Sequence, residues 1–154
     1  MSIGKYCNRE VVVAPPNVSV LGAAQLMSHY HVGGLVLAEQ VDLERYRPEG
    51  MVTDRDIVLE IVANNEREFE RIAAGDIQLR DLISAKESEE VFEVIDKMRR
   101  FDIRRLPIVD EQGALVGIVC ADDLLVVLAN YLRDLALLVG YQNLREESER
   151  QEAT

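Results

Sequence analysis

A chain of 154 residues, 48% of them apolar, can bury a real core, and this excludes a mainly disordered protein. Its 17 Lys and Arg against 28 Asp and Glu leave a formal charge of −11, which argues against polyanionic partners such as nucleic acid or an anionic membrane surface. The length suits one domain or two very small ones.

Residues 1–10 are polar and lack the apolar core of a signal peptide. Cys7 and Cys120 have no C-x-x-C spacing and no neighbouring His in sequence, so they read as reduced structural thiols, and the chain reads as cytoplasmic. A β-branched run at 11–13 predicts a first strand. Ser19 then caps a helix with Val20, Ala23, Ala24 and Met27 on one face. Short apolar strands follow at 34–38 and 50–52. A second helix carries the stripe Ile57, Val58, Ile61, Val62, and a polar linker spans 64–75.

The same order then recurs: a strand at 82–83, a helix capped by Ser88 with Val91, Val94, Ile95 and Met98 on one face, and strands at 106–109 and 115–119. The second copy closes with a helix striped by Leu124, Leu125, Leu128 and Leu132. Residues 20–27 overlie 91–98 at a shift of 71, and 50–57 overlie 117–124 at a shift of 67. The difference, 71 − 67 = 4, falls in a polar loop at 39–49, where a duplication tolerates insertion. Neither copy, at about 60–70 residues, is comfortably stable alone. The expected fold is therefore α/β (α+β), two β-α-β-β-α copies packed together. Copy one is assigned to 3–66, a linker to 67–75, copy two to 76–130, and a helical extension with a flexible tail to 131–154.

No stretch reads as a membrane span. The best, 124–139, is interrupted by Asn130, Arg133 and Asp134 and falls short of the ~20 residues required. As a helix it carries more apolar surface than one small domain covers, which predicts a dimer interface. Residues 145–154, rich in acids, are expected to fray. His29 and His31 read as surface or helix-end residues rather than metal ligands, and no metal site is expected.

With this order twice over, the run Gly50-Met-Val-Thr-Asp-Arg-Asp56, and Arg104-Arg-Leu-Pro-Ile-Val109, the chain resembles a tandem pair of CBS domains, a Bateman module. The resemblance covers about residues 3–130 and implies a regulatory pseudo-twofold pair that binds adenine nucleotides between its repeats. AMP leads the ligands it implies, with ADP, ATP, NAD and S-adenosylmethionine behind. It further implies crossed sites. In the first cleft Asp56 matches the ribose-binding carboxylate and Thr53 the phosphate contact. Arg104 and Arg105 match a phosphate-neutralising pair, and Ile83, Ile103 and Met51 match the adenine sandwich. In the second cleft Asp123 keeps the carboxylate, Cys120 replaces the hydroxyl, Gly33-Gly34 stand where the basic pair belongs, and Arg55 is the nearby cation. One good site and one weak one are expected. Such pairs commonly dimerise, so a homodimer regulating a further protein is expected, with neither nucleic acid nor membrane as partner.

Thr53-x-x-Asp56 also has the capping-box pattern, which competes with its ligand reading. Four arginines in residues 99–105 fit helix-end and solvent roles for Arg99 and Arg100, but not for the pair just before a strand. No nucleophile–base pair, metal-ligand set or P-loop is evident, so an enzyme is not expected. The alternative is a ligand-free dimeric scaffold of the same fold.

Overall fold

The computed structural model describes residues 1–78 and 80–152. In chain order these form β1 (Val13–Ala14), α1 (Val20–Tyr30), β2 (Gly34–Gln40), β3 (Tyr46–Thr53) and α2 (Asp54–Ile57), which runs into a π-helical turn, Val58–Val62. After a 3-10 turn at Ala74–Ile77 come β4 (Ala85–Lys86), α3 (Val91–Phe101), β5 (Arg105–Val109), β6 (Leu115–Cys120) and α4 (Ala121–Glu152). Two three-stranded sheets form among the described residues, β1-β2-β3 and β4-β5-β6. In each, the first pair is parallel and the second antiparallel, and β3 adjoins β6.

Ser19 caps α1 as its sequence predicts, its Oγ accepting from the Gly22 N–H at 3.0 Å, and Val20, Ala23 and Met27 are buried. Ser19→Ala is expected to lower the unfolding free energy by ~1 kcal/mol in urea titration. The helix stops at His31, which takes the left-handed conformation (φ 54°). Asp102 does the same after α3 (φ 51°), 71 residues on.

Several local expectations are corrected. Ser88 does not cap α3: its Oγ donates to Glu111, and the helix starts two residues later at Glu90, whose N–H donates to the Glu93 carboxylate at 3.0 Å. The opening strands lie at 13–14 and 85–86; Val12 packs against the first core and accepts the Val36 N–H at 3.1 Å at the edge of the ladder, and Ile83 packs against the second core. The extra residues of copy one lengthen the β2–β3 ribbon instead of forming a loop. Glu39 pairs with Arg47 and Gln40 with Tyr46.

The larger finding is an exchange of arms. Ile3, assigned by sequence to copy one, is fully buried in the second core beside Val91, Val94, Leu106, Ile108 and Val119. Reciprocally, Ala74 and Ile77 are buried in the first core, and Phe69 and Ile72 pack against it, so 67–75 is part of copy one's packing rather than a free connector. The backbone bonds repeat the exchange at a shift of 71. Ile3 N–H donates to Glu89 O (2.8 Å) as Ala74 N–H does to Val18 O (2.7 Å), and Gly4 N–H to Glu87 O (3.0 Å) as Gly75 N–H does to Pro16 O (2.9 Å). Glycine is required where the arm crosses β6, since a Cβ on Gly117 would lie 2.6 Å from Cys7 Sγ and 2.9 Å from Asn8 O.

α4 differs from expectation in two ways. The segment 145–152 is helical, held by i,i+4 pairs Arg145–Glu149 (3.4 Å) and Glu146–Arg150 (3.6 Å), while 153–154 lie outside the described residues. And because one uninterrupted helix carries the apolar run, it is by length and composition long and apolar enough to cross a bilayer. Leu124 is buried against the second core, yet Leu125, Val126, Leu132 and Leu135 are exposed.

Candidate functional site

Strand register brings the predicted residues to the ends of β3 and β6: Gly34 pairs with Thr53, and Arg105 with Cys120. Thr53 and Asp56 form a full capping box. Asp56 Oδ2 accepts from the Thr53 N–H (2.8 Å) and the Thr53 hydroxyl (2.9 Å), and the Asp56 N–H donates to Thr53 Oγ1 (3.2 Å). The hydroxyl proton is thus engaged within the chain, and Asp56 Oδ1 is the carboxylate oxygen with no hydrogen bond among the described residues. Arg55 is exposed on α2, its N–H bonded to Asp54 Oδ1 at 2.8 Å.

The equivalent turn of copy two uses the Cys120 N–H, which donates to Asp123 Oδ2 at 3.2 Å. The Cys120 thiol is pushed up to about 11, chiefly by partial burial, then by its hydrogen bond and charge contact with Asp123; the Arg105 charge opposes this. Raising a thiol's pKa keeps it neutral at ordinary pH, so Cys120 should be unreactive. Its alkylation at pH 8 is expected to be on the order of 100-fold slower than that of an unperturbed thiol, read by mass spectrometry of the modified peptide.

The arginine pair splits. Arg104 Nη2 donates to Asp122 Oδ1 at 2.8 Å within copy two, and both side chains are about three-quarters exposed, so the pair adds little stability. Arg105 is half-buried, crosses to copy one, and makes no hydrogen bond or ion pair with any described residue. Its guanidinium lies over Gly33, where a Cβ would come within 2.8 Å of Nη2 and 3.2 Å of Asp54 Oδ2. The missing side chain at Gly33 makes that space. Arg105 thus reaches the other repeat at Gly33, while Arg104 stays with Asp122 of its own repeat.

Ile83 and Ile103 lie together against the second core, whereas Met51 is half-buried on the β3 face opposite Val52 and belongs to neither core. Asp54, beside Gly33 and Arg105, is a member of the site that its sequence position alone does not mark; its N–H donates to Gly33 O at 3.1 Å. Two surface grooves lie elsewhere. One of about 350 Å³ runs between α1 and the π turn, lined by Val20, Ala24, Ile57, Ile61 and Phe69, and one of about 160 Å³ lies at the hairpin ends beside Arg45 and Arg47.

Comparison with known proteins identifies the family and the fold. The CBS domain model matches residues 3–63 and 74–130. The chain is 35% identical to the CBS domain-containing protein YhcV of Bacillus subtilis, over 81% of this chain and 84% of that one. It is also 35% identical to an uncharacterized Methanopyrus kandleri protein, over 82% of this chain but 62% of that protein's length. Among solved structures it is similar to a CBS domain protein of Pyrobaculum aerophilum complexed with AMP, with 26% identity, TM-score 0.71, and 84% of this chain and 99% of that one covered. A CBS domain pair solved with 5-methylthioadenosine and S-adenosyl-L-methionine shares the fold at TM-score 0.72 and 24% identity, over 85% of this chain and 98% of that one. Two matched segments, an exchanged pair of arms and twinned sheets lead to one conclusion: the chain belongs to the CBS domain family, as a tandem pair of CBS domains.

Proposed function

We propose that this protein is a regulatory module that binds an adenine nucleotide, AMP foremost, in the cleft between its repeats. The observation that carries this reading is Arg105, a half-buried arginine that has no hydrogen-bond or ion-pair partner among the described residues and reaches across to Gly33 of the other repeat. An unpaired cation in that position is costly unless something anionic meets it, and a guanidinium fork matches phosphate. Asp56 Oδ1, free of hydrogen bonds among the described residues, is suited to accept from a ribose diol, and Ile83, Ile103 and Met51 supply apolar surface for the base. Asp122, beside Arg104, disfavours a second or third phosphate, so a monophosphate fits better than ADP or ATP. Similarity to the AMP-bound Pyrobaculum protein supports the same ligand class.

Thermal unfolding with AMP, ADP, ATP, NAD and S-adenosylmethionine tests the reading. A ligand at 100 times its Kd stabilises by ~2.7 kcal/mol, a clear rise in Tm. No shift with any of them at millimolar levels would sink it and leave the ligand-free scaffold, which the internally satisfied Thr53 and Arg104 already favour.

The protein is also proposed to be a homodimer. The closing helices of both repeats expose apolar residues, Val58 and Leu59 in one and Leu125 and Val126 at the equivalent positions of the other, with Val62 and Phe92 also exposed, and a second copy covers surfaces of that kind.

A further inference from the structure

α4 runs far beyond the residues matched to the CBS family, which end at 130. Along it, Leu125, Leu128, Leu132, Leu135, Val139 and Gln142 alternate in steps of three and four, the spacing of a helix-pairing seam. Leu125 (65% exposed), Leu132 (67%), Leu135 (59%) and Val139 (54%) are open to solvent. Tyr131 and Leu138 flank the seam on one side, with Ala129 and Ala136 on the other.

We propose that this seam pairs with the same seam of a second copy, antiparallel, with Leu132 opposite Leu135 of the other chain. The inference rests on the homodimer proposed above and adds to it a contact along α4 and the direction of that contact. In this register Leu128 meets Val139 and Leu125 meets Gln142. The apolar area reaches the lower end of a stable interface: at ~100 Å² per exposed apolar side chain, Leu125, Leu132, Leu135 and Val139 with the flanking Tyr131 and Leu138 offer on the order of 600 Å² per copy, about 1,200 Å² for the pair.

Charge selects the direction. A parallel pair would lay the acidic ends together, Glu146, Glu147 and Glu149 beside their own copies, and Asp122 and Asp123 likewise. The antiparallel pair carries each acidic end past the start of the other α4. There Arg104 is paired with Asp122, its carbonyl accepts from the Ala121 N–H, and the sequence's densest run of arginines, residues 99–105, leads into the start of α4. Each acidic end thus meets a region of mixed charge instead of its own copy, once at each end by symmetry. Antiparallel helix dipoles add to the preference.

Cross-linking in a background with Cys7→Ser and Cys120→Ser reads the register, alongside the solution mass of the wild-type chain. A mixture of Leu128→Cys and Val139→Cys proteins treated with a short bismaleimide should yield a cross-linked heterodimer. Each variant alone should not, because residue 139 then lies eleven residues, about 16 Å, along the axis from its own copy. Leu132→Lys, at an exposed position, should halve the solution mass while the circular dichroism of the fold persists. A monomeric wild-type protein would overturn both the homodimer and this pairing. A dimer in which Val139→Cys cross-links to itself, in which the mixture does not cross-link, or which Leu132→Lys leaves intact, overturns the pairing alone.

Discussion

Ile3→Ala is expected to destabilise the protein by about 2–5 kcal/mol, measured by chemical denaturation. The size follows from burial: the side chain has no exposed surface, and its neighbours Val91, Val94, Leu106 and Val119 belong to a core closed on every side. Removing three of its four side-chain carbons forfeits their transfer free energy and leaves a cavity that a two-helix, three-stranded unit cannot easily collapse. The location of the damage is the sharper test. Because the arm packs on the other repeat, hydrogen exchange should quicken in β4, β5 and β6 before it does in β1, β2 and β3. Faster exchange confined to the first sheet would contradict the exchanged arm.

Arg105→Ala should weaken AMP binding by about 10- to 100-fold in calorimetry, as expected when a charge-assisted contact worth ~1.5–3 kcal/mol is lost at ~1.4 kcal/mol per decade. Arg104→Ala should change affinity by less than about fivefold, since Asp122 already engages that guanidinium in solvent. The contrast matters more than either number. Two adjacent arginines of equal charge would act equally if only the net field counted, so a difference between them locates the phosphate at Gly33. Arg105→Lys should recover part of the loss, as it keeps the charge and loses the fork. Neither alanine variant should lower unfolding stability appreciably, because neither arginine supports the core.

Much of the local structure was legible in residues taken a few at a time. The Ser19 cap, the buried faces of α1 and α3, the β2–β3 and β5–β6 pairs and the duplication itself follow from spacings of two and of three to four residues. Local reading failed where two alternatives satisfied the same pattern. Ser88 and Glu90 can each open a helix, and the choice went to Glu90 because Lys86, Ser88 and Glu89 are held in a preceding turn. The residues added at 39–49 could loop or pair, and the Glu39–Arg47 ion pair accompanies the pairing. The end of α4 is polar enough to fray, yet its acids and arginines lie one turn apart.

Of the candidate site, Thr53, Asp56 and Asp123 sit at the helix starts that their sequence positions imply. The separate fates of Arg104 and Arg105 were not legible.

By itself the sequence determined the repeat, the order of elements in each copy and the scarcity of positive charge that makes residues 99–105 stand out. Those properties lie in periodicity and composition, which act within a few residues. Only the tertiary structure decided that Ile3 completes the second core and Ala74 the first, and that Arg105 crosses to Gly33 while Arg104 stays with Asp122. The physical reason is that both outcomes depend on which distant surfaces meet. A buried isoleucine satisfies either core equally well by composition, and an arginine's partner is set by the space and charge it finds once the two repeats have packed.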